Sequence, residues 1–158
     1  MLPKFYEESE TDIITMTTSN GLVRRQKNLK NLIEGARKRG VQHRVITNVN
    51  RENMKYALEM NAEIRHVDDV HAITTCYDDK RLLMIELKND KPDLKSQDDA
   101  MLITTNPETI KMTRQMMEGV WKDAMPLEER IAQLRAEEEK HIDELARLEE
   151  KDVKDYQS

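Results

Sequence analysis

The side chains best equipped for chemistry in this chain lie close together. Residues 63–87 read EIRHVDDVHAITTCYDDKRLLMIEL and hold His66, Asp68, Asp69, His71, the single cysteine Cys76, Asp78 and Asp79. Imidazole, carboxylate and thiolate are the groups that ligate transition metals, and imidazole also serves as nucleophile and proton carrier. The spacing of His66, Asp68, Asp69, His71 and Cys76 contains no paired CxxC or comparable ligand pattern. The aspartates fall in turn-type clusters, where solvated carboxylates are ordinary. No metal and no cofactor is expected.

A second set of residues suits a small polar or anionic ligand. Thr18-Ser19-Asn20, Thr47-Asn48 and Thr105-Asn106 each follow a β-rich run. In open α/β sheets, ligands bind beyond the carboxyl ends of parallel strands, where helix N-termini offer unpaired N–H groups. Ser19, Asn20, Asn48 and Asn106 are the candidate ligand-binding residues at those ends. Arg24 and Arg25, one turn into the first helix, would supply positive charge, and His66 and His71 would line the same rim. Helix capping is the other reading of these Ser and Asn residues, and both stay open.

The elements that must position these groups follow from residue patterning. Residues 12–18 (DIITMTT) are β-rich. From Leu22 the apolar residues Leu22, Leu29, Ile33 and Ala36 recur at helical spacing, with Gly40 as terminator after the basic turn Arg37-Lys38-Arg39. Residues 41–47 (VQHRVIT) alternate as a strand. This strand–helix–strand order with a short return loop implies a parallel unit. Asn48 or Asn50 then caps a shorter helix whose Met54, Ala57 and Leu58 face inward. Three strand-type runs, 64–67, 70–77 and 82–87, come next; their short connections predict antiparallel pairing between neighbours. A polar loop over residues 89–99 leads to a strand at 100–105. Asn106-Pro107-Glu108 is a strong helix start, and that helix should bury Ile110, Met117, Val120, Trp121 and Ala124. Pro126 opens a last helix with an apolar stripe of Leu127, Ile131, Leu134, Ile142, Leu145 and Leu148, interrupted by Glu138 and His141. The expected fold is α/β: a mixed sheet flanked by helices, with a protruding C-terminal helix. Residues 1–10 are read as an extension, 11–125 as the domain, and 126–158 as an acidic helix suited to dimerisation.

Composition narrows the classes. With 158 residues, 36% charged, 37% hydrophobic and 4% aromatic, the chain supports one modest core. A lone cysteine suits a reducing compartment. No apolar run approaches the ~20 residues that span a bilayer, and the acidic start MLPKFYEESE is no secretory signal. A cytoplasmic protein is expected. The net charge of −5 resides in the tail: from Pro126 onward there are 11 acidic and 6 basic residues, and the remainder sums to zero. Residues 22–39 are strongly basic, yet the chain has no aromatic-interleaved basic patch that would read as a nucleic-acid surface.

One run within 63–87 has a known counterpart. His71-Ala-Ile73-Thr-Thr-Cys-Tyr-Asp78 resembles the HxKxxxxD signature of the phospholipase D superfamily, with Ile73 where the lysine belongs. The following Gly-Ser is also absent, with Ile85 and Glu86 at that distance. The order of TTSNG, a helix, VITN, RHVDDVHA and a Thr-Thr-Asn-Pro turn resembles the effector domain of archaeal TrmB-type transcriptional regulators and related sensors, over roughly residues 10–125. The resemblance implies a phospholipase-D-like half and pairing of single-motif copies into a homodimer. It also implies that catalysis would use His71 as nucleophile beside a phosphate-binding lysine. Isoleucine removes that charge, so no catalytic residue is expected and His71 and Asp78 form a degenerate motif. In TrmB-type regulators a winged helix precedes this region. Only about a dozen residues precede the first strand here, so direct DNA binding by that device is not expected. The expected function is a non-enzymatic sensor or regulatory domain that binds a small polar ligand or a regulatory protein partner. A homodimeric phosphodiesterase and a pure interaction scaffold are the alternatives.

Overall fold

The computed structural model describes residues 2–88, 90–91 and 100–157. The expected loop around Pro92 lies outside the described residues, apart from Asp90 and Lys91.

The element order is α1 (Leu2–Glu8), β1 (Asp12–Thr17), α2 (Ser19–Lys38), β2 (Gln42–Thr47), α3 (Met54–Glu59), β3 (Glu63–His66), β4 (Ile73–Tyr77), β5 (Arg81–Glu86), β6 (Ala100–Thr104), α4 (Pro107–Asp123), β7 (Met125–Pro126) and α5 (Leu127–Gln157). Seven strands form one mixed sheet in the order β6-β5-β4-β1-β2-β3-β7. Strands β1, β2 and β3 are parallel; β4, β5, β6 and β7 each join antiparallel to a neighbour.

Alternation along the strands sends successive side chains to opposite faces. Ile13, Val45, Ile64, Tyr77 and Leu83 pack with Leu22, Ile33 and Ala57 on one face, and this core also takes Ile131 and Leu134 from α5. Ile14, Ile46, Cys76 and Leu82 pack on the other under Ile110, Met117 and Trp121 of α4.

Local chemistry sets the ends of elements. Thr18 caps α2 by accepting the Gly21 N–H at 3.0 Å. Gly40, at φ +85°, donates to the Arg37 carbonyl and Val41 donates to that of Ala36, the paired bonds of a Schellman stop. Asn106 caps α4 by accepting from the Thr109 N–H at 3.0 Å, with Pro107 at the first helical position. Asp78 and Asp79 turn the β4–β5 hairpin with φ of 54° and 57°, and Lys80 N–H closes it on the Tyr77 carbonyl.

Several expectations are corrected. The three runs of residues 63–87 do not form one ribbon: β3 pairs parallel with β2 and antiparallel with β7, while β4 sits between β1 and β5. Residues 67–72 instead cross the ends of β2 and β1. That gap is about 14 Å, three strand spacings, and six extended residues reach across it. Pro126 does not open the last helix but pairs in β7 with Arg65. The third helix is entered through Asn53 without a side-chain capping bond, and Asn50 Oδ1 accepts from the N–H groups of Glu52 and Asn53 instead. Leu58 faces outward, 54% exposed, because it points about 100° around the helix from Ala57, which takes the core-facing position. Helix α1 escaped the sequence reading. Its Phe5 and Tyr6 are buried, and the Tyr6 hydroxyl accepts from the fully enclosed Arg25 guanidinium at 2.6 Å.

Candidate functional site

The carboxyl ends of the parallel strands meet in one row. Thr17 pairs with Thr47 and Thr47 with His66 in the last register of β1, β2 and β3. Ile73 lies one position beyond the Met16–Thr74 pair and opposite Ile85. By the period of two, all of these side chains point to the face covered by α2. The row therefore runs Ile85, Ile73, Thr17, Thr47, His66, with the first turn of α2 above it. The hydroxyls of Thr17 and Thr47 are enclosed and find no partner among the described residues.

Ser19, Asn20, Arg24 and Asn48 gather at this edge. Ser19 Oγ donates to the Asn48 carbonyl at 3.1 Å, and Asn53 Nδ2 donates to the same oxygen at 2.9 Å. Asn48 Nδ2 donates to the Asp68 carbonyl at 2.6 Å, fastening the 67–72 crossing to the end of β2. Asn20 Nδ2 donates to the Asp90 carbonyl at 2.8 Å. Arg24 Nη1 meets the Asp90 carboxylate at 2.8 Å and the Lys91 carbonyl at 2.7 Å, while its Nη2 is enclosed and unpartnered among the described residues. A carboxylate thus already sits where the first turn of α2 and a guanidinium converge, the electrostatic setting for an anion.

Two sequence candidates do not join this site. Asn106 lies at the opposite edge of the sheet, because β6 runs antiparallel to β5 and its end Thr104 pairs with Leu82 beside the β4–β5 turn. Its role there is capping. His66 is at the edge but buried, and both ring nitrogens are engaged: Nδ1 accepts the Val49 N–H at 2.9 Å and Nε2 lies 3.2 Å from Asp68 Oδ1. Burial and the nearby Arg130 hold its pKa below the ordinary value against the opposing pull of Asp68. Through the Val49 N–H held on Nδ1, the ring ties β3 to the chain after β2.

The motif residues separate along β4. His71 is exposed just before the strand. Ile73 is buried against Gly21. Asp78 lies beyond the far end, where its carboxylate accepts the N–H groups of Glu10, Thr11 and Asp12 at 2.7, 2.9 and 2.9 Å. Burial pushes the Asp78 pKa up, but these donors outweigh it and the net shift is down. The aspartate is thus a structural clamp remote from the histidine.

Cys76 is buried on the opposite face from His66, where burial pushes its thiol pKa up. Among the described residues no group of three or more His, Cys, Asp or Glu side chains converges as a metal site. The same face carries an ion network that sequence reading missed. Arg44 grips Glu118 in a two-pronged pair, Arg114 pairs with Asp12 and Asp79, and Arg44 and Arg65 stack on Trp121. The alternating apolar spacing of β2 hid Arg44, whose partner is 74 residues away. An open cavity of ≈ 540 Å³ beside this network is lined by Asp79, Ile110, Lys111, Arg114 and Glu118. It borders charges already paired with one another, so we place the candidate site at the strand ends.

No family model and no curated protein matches this chain. Solved structures do. TrmBL2, an archaeal chromatin protein with a novel mode of DNA binding, superposes with a TM-score of 0.58 at 16% identity over 79% of this chain and 48% of its own. This chain therefore spans about half the length of TrmBL2. NucT from Helicobacter pylori gives 0.63 at 12% identity, and Nuc from Salmonella typhimurium, a phospholipase D family member, gives 0.55 at 15%. Each covers 79% of this chain and 87% of the other. Among the described residues no helix is long and apolar enough to cross a membrane. The mixed sheet and these three superpositions agree: the chain has a phospholipase-D-like fold and resembles the TrmB-type proteins.

Proposed function

We propose that this chain is a cytoplasmic, non-enzymatic regulatory domain that binds a small anionic ligand at the ends of β1 and β2, in signal transduction or transcriptional regulation. One observation carries the reading: Arg24 at the head of α2 already holds a carboxylate, that of Asp90, at 2.8 Å. A ligand carboxylate or phosphate competes for the same guanidinium, helped by the N-terminal dipole of a 20-residue helix. Ligand entry then frees Asp90 and Lys91 from Arg24, which couples occupancy to local shape. Two features support a role without catalysis. The lysine slot is filled by a buried isoleucine, and His71 is exposed beside no motif cation. Likeness to a chromatin protein supports a regulatory setting. Pairing of two copies belongs to the proposal, with Met84 and Leu102 offering exposed apolar area on neighbouring strands.

The test is thermal unfolding against phosphate, carboxylates, sugar phosphates and nucleotides. An anionic compound should raise the melting temperature of the native chain and leave Arg24→Gln unmoved. Equal shifts in both proteins would remove the proposal. Turnover of a chromogenic phosphodiester that is lost in His71→Ala would replace it with the enzymatic reading.

A further inference from the structure

Asn20 and Arg24 stand four positions apart on α2, so their side chains share one face of its first turns. Asp90 and Lys91 lie across that face. Asn20 Nδ2 donates to the Asp90 carbonyl at 2.8 Å, while Arg24 Nη1 donates to the Asp90 carboxylate at 2.8 Å and to the Lys91 carbonyl at 2.7 Å. Two of the three acceptors are main-chain carbonyls, and the third is the carboxylate of the residue that supplies one of them. Lys91 brings only its carbonyl to these bonds and is itself exposed. The two α2 side chains therefore hold an aspartate by its side chain and its backbone together.

That arrangement discriminates among anions. A free phosphate or small carboxylate replaces the Asp90 carboxylate on Arg24 but brings no carbonyl for Asn20. A peptide segment containing aspartate replaces all three acceptors at once. The carboxylate and the following carbonyl converge on a single nitrogen, a geometry suited to the short side chain of aspartate rather than glutamate. Arg24 Nη2, enclosed and unpartnered among the described residues, is a further donor for the second carboxylate oxygen of a forked pair. We infer that this face of α2 docks an aspartate-containing segment of a partner protein, and that Asp90-Lys91 occupies it as a built-in pseudo-ligand. The inference rests on the strand-end reading and takes the anion there to be a peptide carboxylate rather than a free ion. A tethered competitor acts at high effective concentration, so docking tightens when Asp90 is released.

The experiment is an NMR titration of the full native chain and of full-chain Asp90→Asn, whose matching unfolding temperatures exclude misfolding. The probes are acetyl-Ala-Asp-Lys-Ala-amide, its Asn and Glu counterparts, acetate and inorganic phosphate. In Asp90→Asn the Asp peptide should bind at least about tenfold tighter than the Asn peptide, the worth of a charge-assisted bond, and several-fold tighter than the Glu peptide. It should shift the Asn20 side-chain amide signals, bind more weakly to the native chain, and lose its binding when Arg24→Gln is added. Equal binding of the Asp and Asn peptides, or Asp-peptide binding that leaves the Asn20 amide unmoved, would overturn the inference. Phosphate or acetate binding as tightly as the Asp peptide would overturn it too, yet would leave the small-anion reading of the site standing. Absence of binding by every probe would remove both.

Discussion

The Ile73 side chain ends 3.4 Å from where a β-carbon on Gly21 would stand, and the same β-carbon would collide with Thr17 Oγ1. The first turn of α2 thus packs directly on Ile73 and Thr17 of the sheet, with no room for a side chain at Gly21. Gly21→Ala should lower stability by ~1–3 kcal/mol through overpacking, although alanine is the better helix former by about 1 kcal/mol. Thr17→Ala in that background should restore part of the loss. Urea denaturation of the two single variants and the double gives the coupling. A Gly21→Ala protein as stable as the native chain would show that α2 sits less tightly than this.

The Arg24–Asp90 pair predicts opposite effects from its two halves. Both side chains are partly exposed, so breaking the pair should cost stability less than about 1 kcal/mol. Binding should respond more strongly. Asp90→Asn removes an internal competitor and should tighten an anionic ligand several-fold, whereas Arg24→Gln should abolish its binding. Titration calorimetry with the best compound from the thermal screen reads both. Weaker binding in Asp90→Asn would mean that the aspartate contacts the ligand rather than competes with it.

What could be read from the sequence was local. Gly40 and Asn106-Pro107 announce helix ends because capping acts within a few residues, whereas Thr18, read as the last residue of the first strand, is the N-cap of α2; β1, β2 and β4 stand out by β-branched content. The parallel β1–β2 unit and the antiparallel β4–β5 pair were legible too, but the place of β3 in the sheet was hidden. The short Asp68-Asp69 segment reads as a hairpin turn, yet it spans three strand positions, since extended backbone covers that distance as readily as a turn reverses it. Asn106 carries the same Thr-Asn chemistry as Thr47-Asn48 but lies at the other edge, because strand direction is set by topology and not by composition. Arg25 looked like a surface cation of a basic helix; only the fold reveals that Tyr6 and Thr75 enclose it.

Beside that arginine, His43 makes stability depend on pH. Burial, and secondarily the Arg25 charge, depress its pKa to about 3. Above pH ~6.5 the ring is neutral in both states and contributes no slope. Below it the unfolded chain takes up a proton that the folded chain refuses, so stability falls by ~1.4 kcal/mol per pH unit toward the folded pKa. From pH 6.5 to 5 the loss from His43 is about 2 kcal/mol. His66, depressed by burial and Arg130, acts in the same direction. Denaturation curves at several pH values should therefore be steeper for the native chain than for His43→Leu. Parallel pH profiles would place the proton elsewhere.

Asp78 and His71 should respond to mutation as differently as they are placed. The Asp78 carboxylate gathers three backbone N–H groups and the Thr11 hydroxyl, closing the entry to β1 onto the β4–β5 turn. Asn tolerates the left-handed backbone at this position, so Asp78→Asn isolates the charge. It should cost ~1–2 kcal/mol near neutral pH, the worth of charge-assisted bonds to a partly exposed acceptor. Because the folded pKa is lowered, the advantage of the native chain is complete above the ordinary carboxylate value. It is lost as pH falls through the folded pKa, and the two unfolding curves should converge below pH ~4. His71→Asn, at an exposed position, should leave stability within ~0.5 kcal/mol. Equal destabilisation by the two variants, measured by urea unfolding at pH 7, would contradict the separation of a structural aspartate from a histidine with no part in the fold.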